Sequence, residues 1–141
     1  TKSSVHVYLA RFLSQDFEGL TRETFIEAMQ AEGIPLRAGY KAPLQEYELF
    51  ANAPGSLPGG HLFTSARYTG SADYSTMSTP VAARLCSREV LNLSQSVFLG
   101  PRSDMDSIVE AVGKIRENVG ALSIAAVGAP NGADRDRSAS E

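Results

Sequence analysis

Apolar positions fall into four stretches separated by polar or proline-rich chain. Val5-His-Val-Tyr-Leu-Ala-Arg-Phe-Leu13 is rich in β-branched and aromatic residues. Val5, Val7 and Leu9 alternate with Tyr8, and Phe12 falls on the second face. This predicts an opening strand buried on one face. Asp16, Glu18 and Gly19 then mark a turn. Phe25, Ile26, Ala28 and Met29 recur at helical spacing. Thr21 suits the N-cap of that helix, and Glu23 lies in its first turn, where the helix dipole favours negative charge. Gly33 stops the helix and Pro35 keeps it from resuming.

Between Arg37 and Thr79 the periodicity fades. Pro43, Pro54, Pro58, Gly55, Gly59 and Gly60 break it, yet Tyr40, Tyr47, Phe50, Phe63, Tyr68 and Tyr74 need surfaces to pack on. The prediction is an ordered or conditionally ordered loop over 37–79. Thr79-Pro80 restarts regular structure as an N-cap and first helical residue, with a short helix over Val81–Cys86. Val90-Leu-Asn-Leu93 predicts a strand, extendable through Val97-Phe98, and Gly100-Pro101 ends it. Ser103, with Asp104 and Asp106, predicts the start of the last helix. Met105, Ile108, Val109, Val112 and Ile115 form its apolar face, Glu110 and Lys114 are spaced to pair, and Asn118 and Gly120 end it. Ala121–Val127 is apolar but uncapped, and 121–141 predicts a flexible tail. A third strand is required for a stable sheet, around Ile34–Arg37 or Leu62–Arg67. The fold class is α/β (α+β): about three strands with helices on one face, in one domain over 1–120.

Composition narrows the function. The chain has 141 residues, a formal charge of −3 and one cysteine. Mild acidity argues against a nucleic-acid partner. No run reaches the roughly 18 apolar residues of a membrane span. Cys86 alone makes no internal disulfide and fits a reducing, cytoplasmic setting. His6 and His61 have no ligand spacing, so no metal site is expected. The chain opens on Thr1 rather than Met, which points to a cut or processed piece.

No catalytic set emerges. Gly55-Ser-Leu-Pro-Gly-Gly60 lacks the Lys-Ser/Thr ending of a phosphate-binding loop and a following helix. No nucleophile-elbow motif accompanies His61. Cys86 reads as a structural thiol on an apolar helix side rather than a nucleophile. Asp104 and Asp106 are explained by helix capping; Asp16/Glu18 and Glu46/Glu48 fit solvated positions. Lys41 is the lysine in the unusual loop and a candidate for ligand contact, since a catalytic lysine needs a desolvated pocket or a cationic neighbour.

The order of these pieces resembles the C-terminal small domain of the DegT/DnrJ/EryC1/StrS aminotransferases, enzymes that modify sugars and aminocyclitols with pyridoxal phosphate. The resemblance rests on the opening strand, Thr21-Arg-Glu-Thr-Phe-Ile-Glu-Ala-Met-Gln-Ala-Glu-Gly-Ile-Pro35, Gly39-Tyr-Lys-Ala-Pro-Leu44 and Asp73-Tyr-Ser75. It continues through Pro80-Val-Ala-Ala-Arg-Leu-Cys86, Val90 to Gly100, and Asp104-Met-Asp-Ser-Ile108. It covers most of Val5–Val119. The family often has Glu where this chain has Ala83 and Pro where it has Ser94.

The resemblance implies a substrate cleft bordered by Tyr40, Lys41, Pro43 and Gln95, with no catalytic residue among them. It implies pyridoxal phosphate in the complete enzyme and none bound to this chain alone. The large domain that carries the cofactor lysine has no counterpart in these residues, so the chain alone should not transaminate. The implied partners are that large domain or subunit, a second copy in a homodimer, and a sugar-like small molecule, in antibiotic or sugar biosynthesis. The alternative is a free-standing, non-catalytic binding or assembly module derived from such a domain. A detached small domain should expose apolar surface where the large domain would pack.

Overall fold

A computed structural model describes residues 6–47, 50, 69–70 and 77–128, with side chains to 124. The elements are strand β1 (Val7–Arg11), helix α1 (Arg22–Ala31), strand β2 (Arg37–Ala38), helix α2 (Pro80–Arg84), strand β3 (Val90–Ser94), helix α3 (Arg102–Glu117) and helix α4 (Val119–Gly128). Short 3-10 turns occupy Ser14–Phe17, Leu44–Glu46 and Gln95–Leu99, and a π-type turn follows α2 over Leu85–Glu89. The three strands form one antiparallel sheet in the order β1-β3-β2, an α+β arrangement. The chain divides into two compact units. One holds 1–8, 13–37 and 93–141; the other holds 9–12 and 38–92.

In the first unit, α1 forms as its sequence dictates. Thr21 Oγ1 accepts from the Thr24 N–H at 3.2 Å, meeting one of the unpaired first-turn donors. Phe25, Ile26 and Met29 are buried, Met29 to 1% exposure. Gly33 takes φ +84°, a left-handed conformation that a Cβ disfavours. That lets the Gly33 N–H reach the Gln30 carbonyl at 2.9 Å and the Ile34 N–H reach the Met29 carbonyl at 2.9 Å. These two bonds make a Schellman stop, and they turn Ile34 and Leu36 into the core. Gln30 Nε2 donates to the Leu36 carbonyl at 2.8 Å, fixing the chain just before β2. Helices α3 and α4 pack on α1, with Ala111, Ile115 and Val119 buried.

Several expectations shift. Helix α3 begins at Arg102 with Pro101 at its N-cap, and the Ser103 hydroxyl donates to Asp104 Oδ1 at 3.4 Å instead of capping. Val109, expected on the buried face, is 71% exposed, while Ala111 takes a core place. Lys114 pairs with Glu32 at 2.6 Å, not with Glu110, because the end of α1 lies against α3. Val97-Phe98 does not extend β3; it lies in the 3-10 turn Gln95–Leu99. The helical path continues past Asn118 into α4, so Gly120 lies inside a helix. The apolar run Ala121–Val127 lies in this helix, whose first residue, Val119, is buried.

The opening strand also differs from the expected one-sided burial. Val7, Tyr8 and Leu9 are 36%, 49% and 59% exposed and Ala10 is half-buried, so neither face of edge strand β1 is fully buried. Tyr8 stacks obliquely on Phe98 at 5.4 Å between ring centroids. The third strand, β2, starts where the Ile34–Arg37 option ends; Leu62–Arg67 lies outside the described residues.

Candidate functional site

The candidate site lies in the second unit, where Gly39 sets its starting point. Its backbone passes so close to Val90 that an added Cβ would sit 2.4 Å from Val90 Cγ1. A side chain at position 39 would push the segment away from the first residue of β3. Beyond Gly39 comes Tyr40, exposed at 78%, then Lys41, also exposed, and Pro43, which is buried. Pro43 fixes the backbone before the 3-10 turn Leu44–Glu46. The Gln45 side-chain amide hydrogen-bonds the Thr79 hydroxyl, tying this turn to the start of α2. Thr79 was expected to cap α2; its hydroxyl makes no capping bond, and Pro80 occupies the first turn.

These restraints border an open cleft of about 390 Å³. Lys41, Ala42, Pro43 and Glu46 line one side, and Pro80, Ala83, Arg84, Ser87 and Arg88 the other. Arg84 and Arg88 are four residues apart across the junction of α2 and the π-type turn, and both reach the cleft. Arg84 Nε contacts Glu89 Oε1 at 2.9 Å, and Arg11 Nε contacts Glu89 Oε2 at 2.8 Å. One carboxylate therefore holds two guanidinium groups. The Phe12 N–H also donates to the Glu89 carbonyl at 2.6 Å, so backbone and side chain anchor this residue together. The hydrogen bond from Arg11 holds the Glu89 carboxyl below its ordinary 4.5. The positive charges of Arg11, Arg84 and Arg88 act the same way, and partial desolvation opposes them.

Of the four residues expected at a cleft, Lys41 and Pro43 share this one. Tyr40 adjoins it in sequence but is not among its lining residues. Gln95 belongs to the other unit, exposed as the first residue of its 3-10 turn. Arg84, Ser87 and Arg88 escaped the sequence reading. Arg84 falls in the predicted helix over Val81–Cys86 but Arg88 lies two residues past it, so their four-residue spacing places them on one face only because the helical path continues through the π-type turn. Cys86 lies partly exposed in the π-type turn.

The two described lysines, Lys41 and Lys114, sit in different surroundings. A lysine that binds pyridoxal phosphate covalently needs desolvation or a cationic neighbour to supply its free amine. Lys41 is exposed on an open cleft, and Lys114 is engaged by Glu32.

Comparison with known proteins gives the class. By sequence the chain is a homologue of aminotransferases. Its relatives are, more narrowly, L-glutamine:scyllo-inosose enzymes of the aminocyclitol and sugar aminotransferase family. It is 30% identical, over 86% of its length, to a Streptoalloteichus tenebrarius protein named as an L-glutamine:3-amino-2,3-dideoxy-scyllo-inosose aminotransferase. A Streptomyces kanamyceticus protein of the same name is 29% identical over 84%. An L-glutamine:2-deoxy-scyllo-inosose aminotransferase from Streptoalloteichus tenebrarius is 31% identical over 86%. The chain spans only 28–29% of the length of these relatives. No protein-family model and no solved structure matches it. Among the described residues, no helix is long and apolar enough to cross a membrane.

Proposed function

We propose that this chain is the C-terminal small domain of a pyridoxal-phosphate aminotransferase of the DegT/DnrJ/EryC1/StrS type. The complete enzyme would move an amino group from L-glutamine to the ketone of a cyclitol or sugar. The observation that carries this reading is the match itself: 84–86% of the chain aligns with aminocyclitol aminotransferases, yet covers under a third of them. That proportion suits a small domain beside a larger, cofactor-bearing one.

The cofactor, when bound, supplies the electron sink that makes amino transfer feasible. The residues of this chain have a different task in the proposal. Tyr40, Lys41 and Pro43 border the substrate, with Pro43 stiffening the loop and Tyr40 offering a ring and a hydroxyl to a polyhydroxylated acceptor. Edge strand β1, with exposed Val7, Tyr8 and Leu9, is the apolar surface such a domain would bury against its large partner. The reading also places the enzyme in the cytoplasm, as a homodimer serving antibiotic or sugar biosynthesis.

A titration with pyridoxal phosphate tests it. The protein expressed from the complete reading frame should develop the visible absorbance of a lysine-bound cofactor, lost on borohydride reduction. The 141-residue chain alone should not. If the complete product binds no cofactor, the chain serves as a non-catalytic module instead. A reduced adduct mapped to Lys41 in the isolated chain would overturn the division of labour.

A further inference from the structure

We propose that the cleft lined by Lys41, Arg84 and Arg88 is an anion site that takes a phosphate group, either free or esterified to a small sugar or cyclitol. Lys41, Arg84 and Arg88 line it with Glu46, and Glu89 and Arg11 pair beside Arg84, so four cations meet two carboxylates, a local surplus of two positive charges in a chain whose formal charge is −3. Lys41 and Arg88 make no ion pair and no side-chain hydrogen bond among the described residues. Their donors are therefore available to a ligand. Arg84 differs: Glu89 holds its Nε at 2.9 Å and is itself held by Arg11, so this guanidinium is ordered before anything binds. Pre-ordering lowers the entropy lost on association.

Phosphate suits this set better than a carboxylate does. It presents more acceptor oxygens and carries up to two negative charges, which matches the surplus. Arginine forks bond such oxygens in pairs, while lysine acts as a point charge. The volume of about 390 Å³ admits a ring as well as the anion, and Pro43 and Pro80 offer it apolar contact. The site shares Lys41 and Pro43 with the proposed substrate border but is argued from the charges of the cleft; a scyllo-inosose acceptor is uncharged, so phosphate binding stands or falls separately from amino transfer.

Calorimetric titration of the purified chain at low ionic strength tests the site, with inorganic phosphate, glucose 6-phosphate and myo-inositol as probes. Both phosphates should bind saturably, one per chain, and myo-inositol should not. Arg88→Gln and Lys41→Gln should each weaken phosphate binding by roughly tenfold, the worth of one charge-assisted hydrogen bond at a partly exposed site. Arg102→Gln, at an exposed position in the other unit, should leave it unchanged. Circular dichroism confirms that each variant is folded. Tighter binding of glucose 6-phosphate than of phosphate identifies an ester ligand, and equal binding identifies free phosphate. Absence of saturable binding, unchanged affinity in both cleft variants, or equal binding of myo-inositol would overturn the proposal.

Discussion

Gly39→Ala probes the packing that seats the candidate site. The new Cβ would lie 2.4 Å from Val90 Cγ1, 3.3 Å from Cγ2 and 3.4 Å from Val90 Cβ. Carbon atoms in good contact sit about 3.5–4.0 Å apart, so one pair must separate by about 1 Å or more. Val90 cannot yield easily, because a β-branched side chain in a strand has few χ1 choices. Overpacking of this kind costs about 1–3 kcal/mol. Position 39 needs no left-handed backbone, so alanine adds no φ strain there. The stiffer unfolded chain returns about 0.4–1 kcal/mol. The net expectation is a loss of about 1–2 kcal/mol. Val90→Ala alone should cost about 1 kcal/mol, since its methyl groups are half-buried. In the double variant the clash disappears, and a favourable coupling of about 1–2 kcal/mol should appear. Urea unfolding followed by far-UV circular dichroism measures all four corners of the cycle. Additive costs, within about 0.5 kcal/mol, would refute the claim that Gly39 is required by Val90.

Three further outcomes follow from the same packing. Met29→Ala should destabilise the chain by about 2–5 kcal/mol, because this fully buried side chain leaves a cavity that urea unfolding would register. Glu89 has a lowered folded-state pKa, so its ion pairs stabilise the fold above the unfolded value of 4.5. That contribution falls away as pH drops through the folded pKa. Wild type should therefore exceed Glu89→Gln in stability at neutral pH, with the gap closing under acid; a gap that widens instead would reverse the assignment. The isolated chain should self-associate through the exposed apolar edge of β1, and Tyr8→Lys with Leu9→Lys should reduce this in analytical ultracentrifugation. Unchanged sedimentation would mean that this edge is not the sticky surface.

Local chemistry was the legible part of this chain. Thr21, the Phe25-Ile26-Met29 stripe and Gly33 specify α1 within a dozen residues, and each does what its type predicts. Val90–Leu93 likewise reads as a strand from its own side chains. Non-local choices were hidden. Lys114 had an ideally spaced partner in Glu110, but Glu32, 82 residues away, lies closer in the fold. Alternation in Val5–Leu13 predicted a buried face, but alternation reports only that a face is apolar, not what covers it. The α4 helix starts directly after Asn118, which reads locally as a stop, and its first residue, Val119, is buried. At the candidate site, Lys41 and Pro43 stood out because the Gly-Tyr-Lys-Ala-Pro loop is unusual. Arg84 and Arg88 carry no such local signature; the fold brings both to the cleft that Lys41 lines.

The central claim is that this chain serves an aminotransferase which accepts a cyclitol or sugar ketone. The most direct measurement follows nitrogen itself. The protein from the complete reading frame, supplied with pyridoxal phosphate, would be incubated with 2-deoxy-scyllo-inosose and L-glutamine labelled with ¹⁵N at the α-amino group. Mass spectrometry should find the label in an aminocyclitol, with the glutamine converted to its keto acid. Label that stays in glutamine across a panel of keto-cyclitols and keto-sugars, with cofactor bound and the protein folded, would contradict the account.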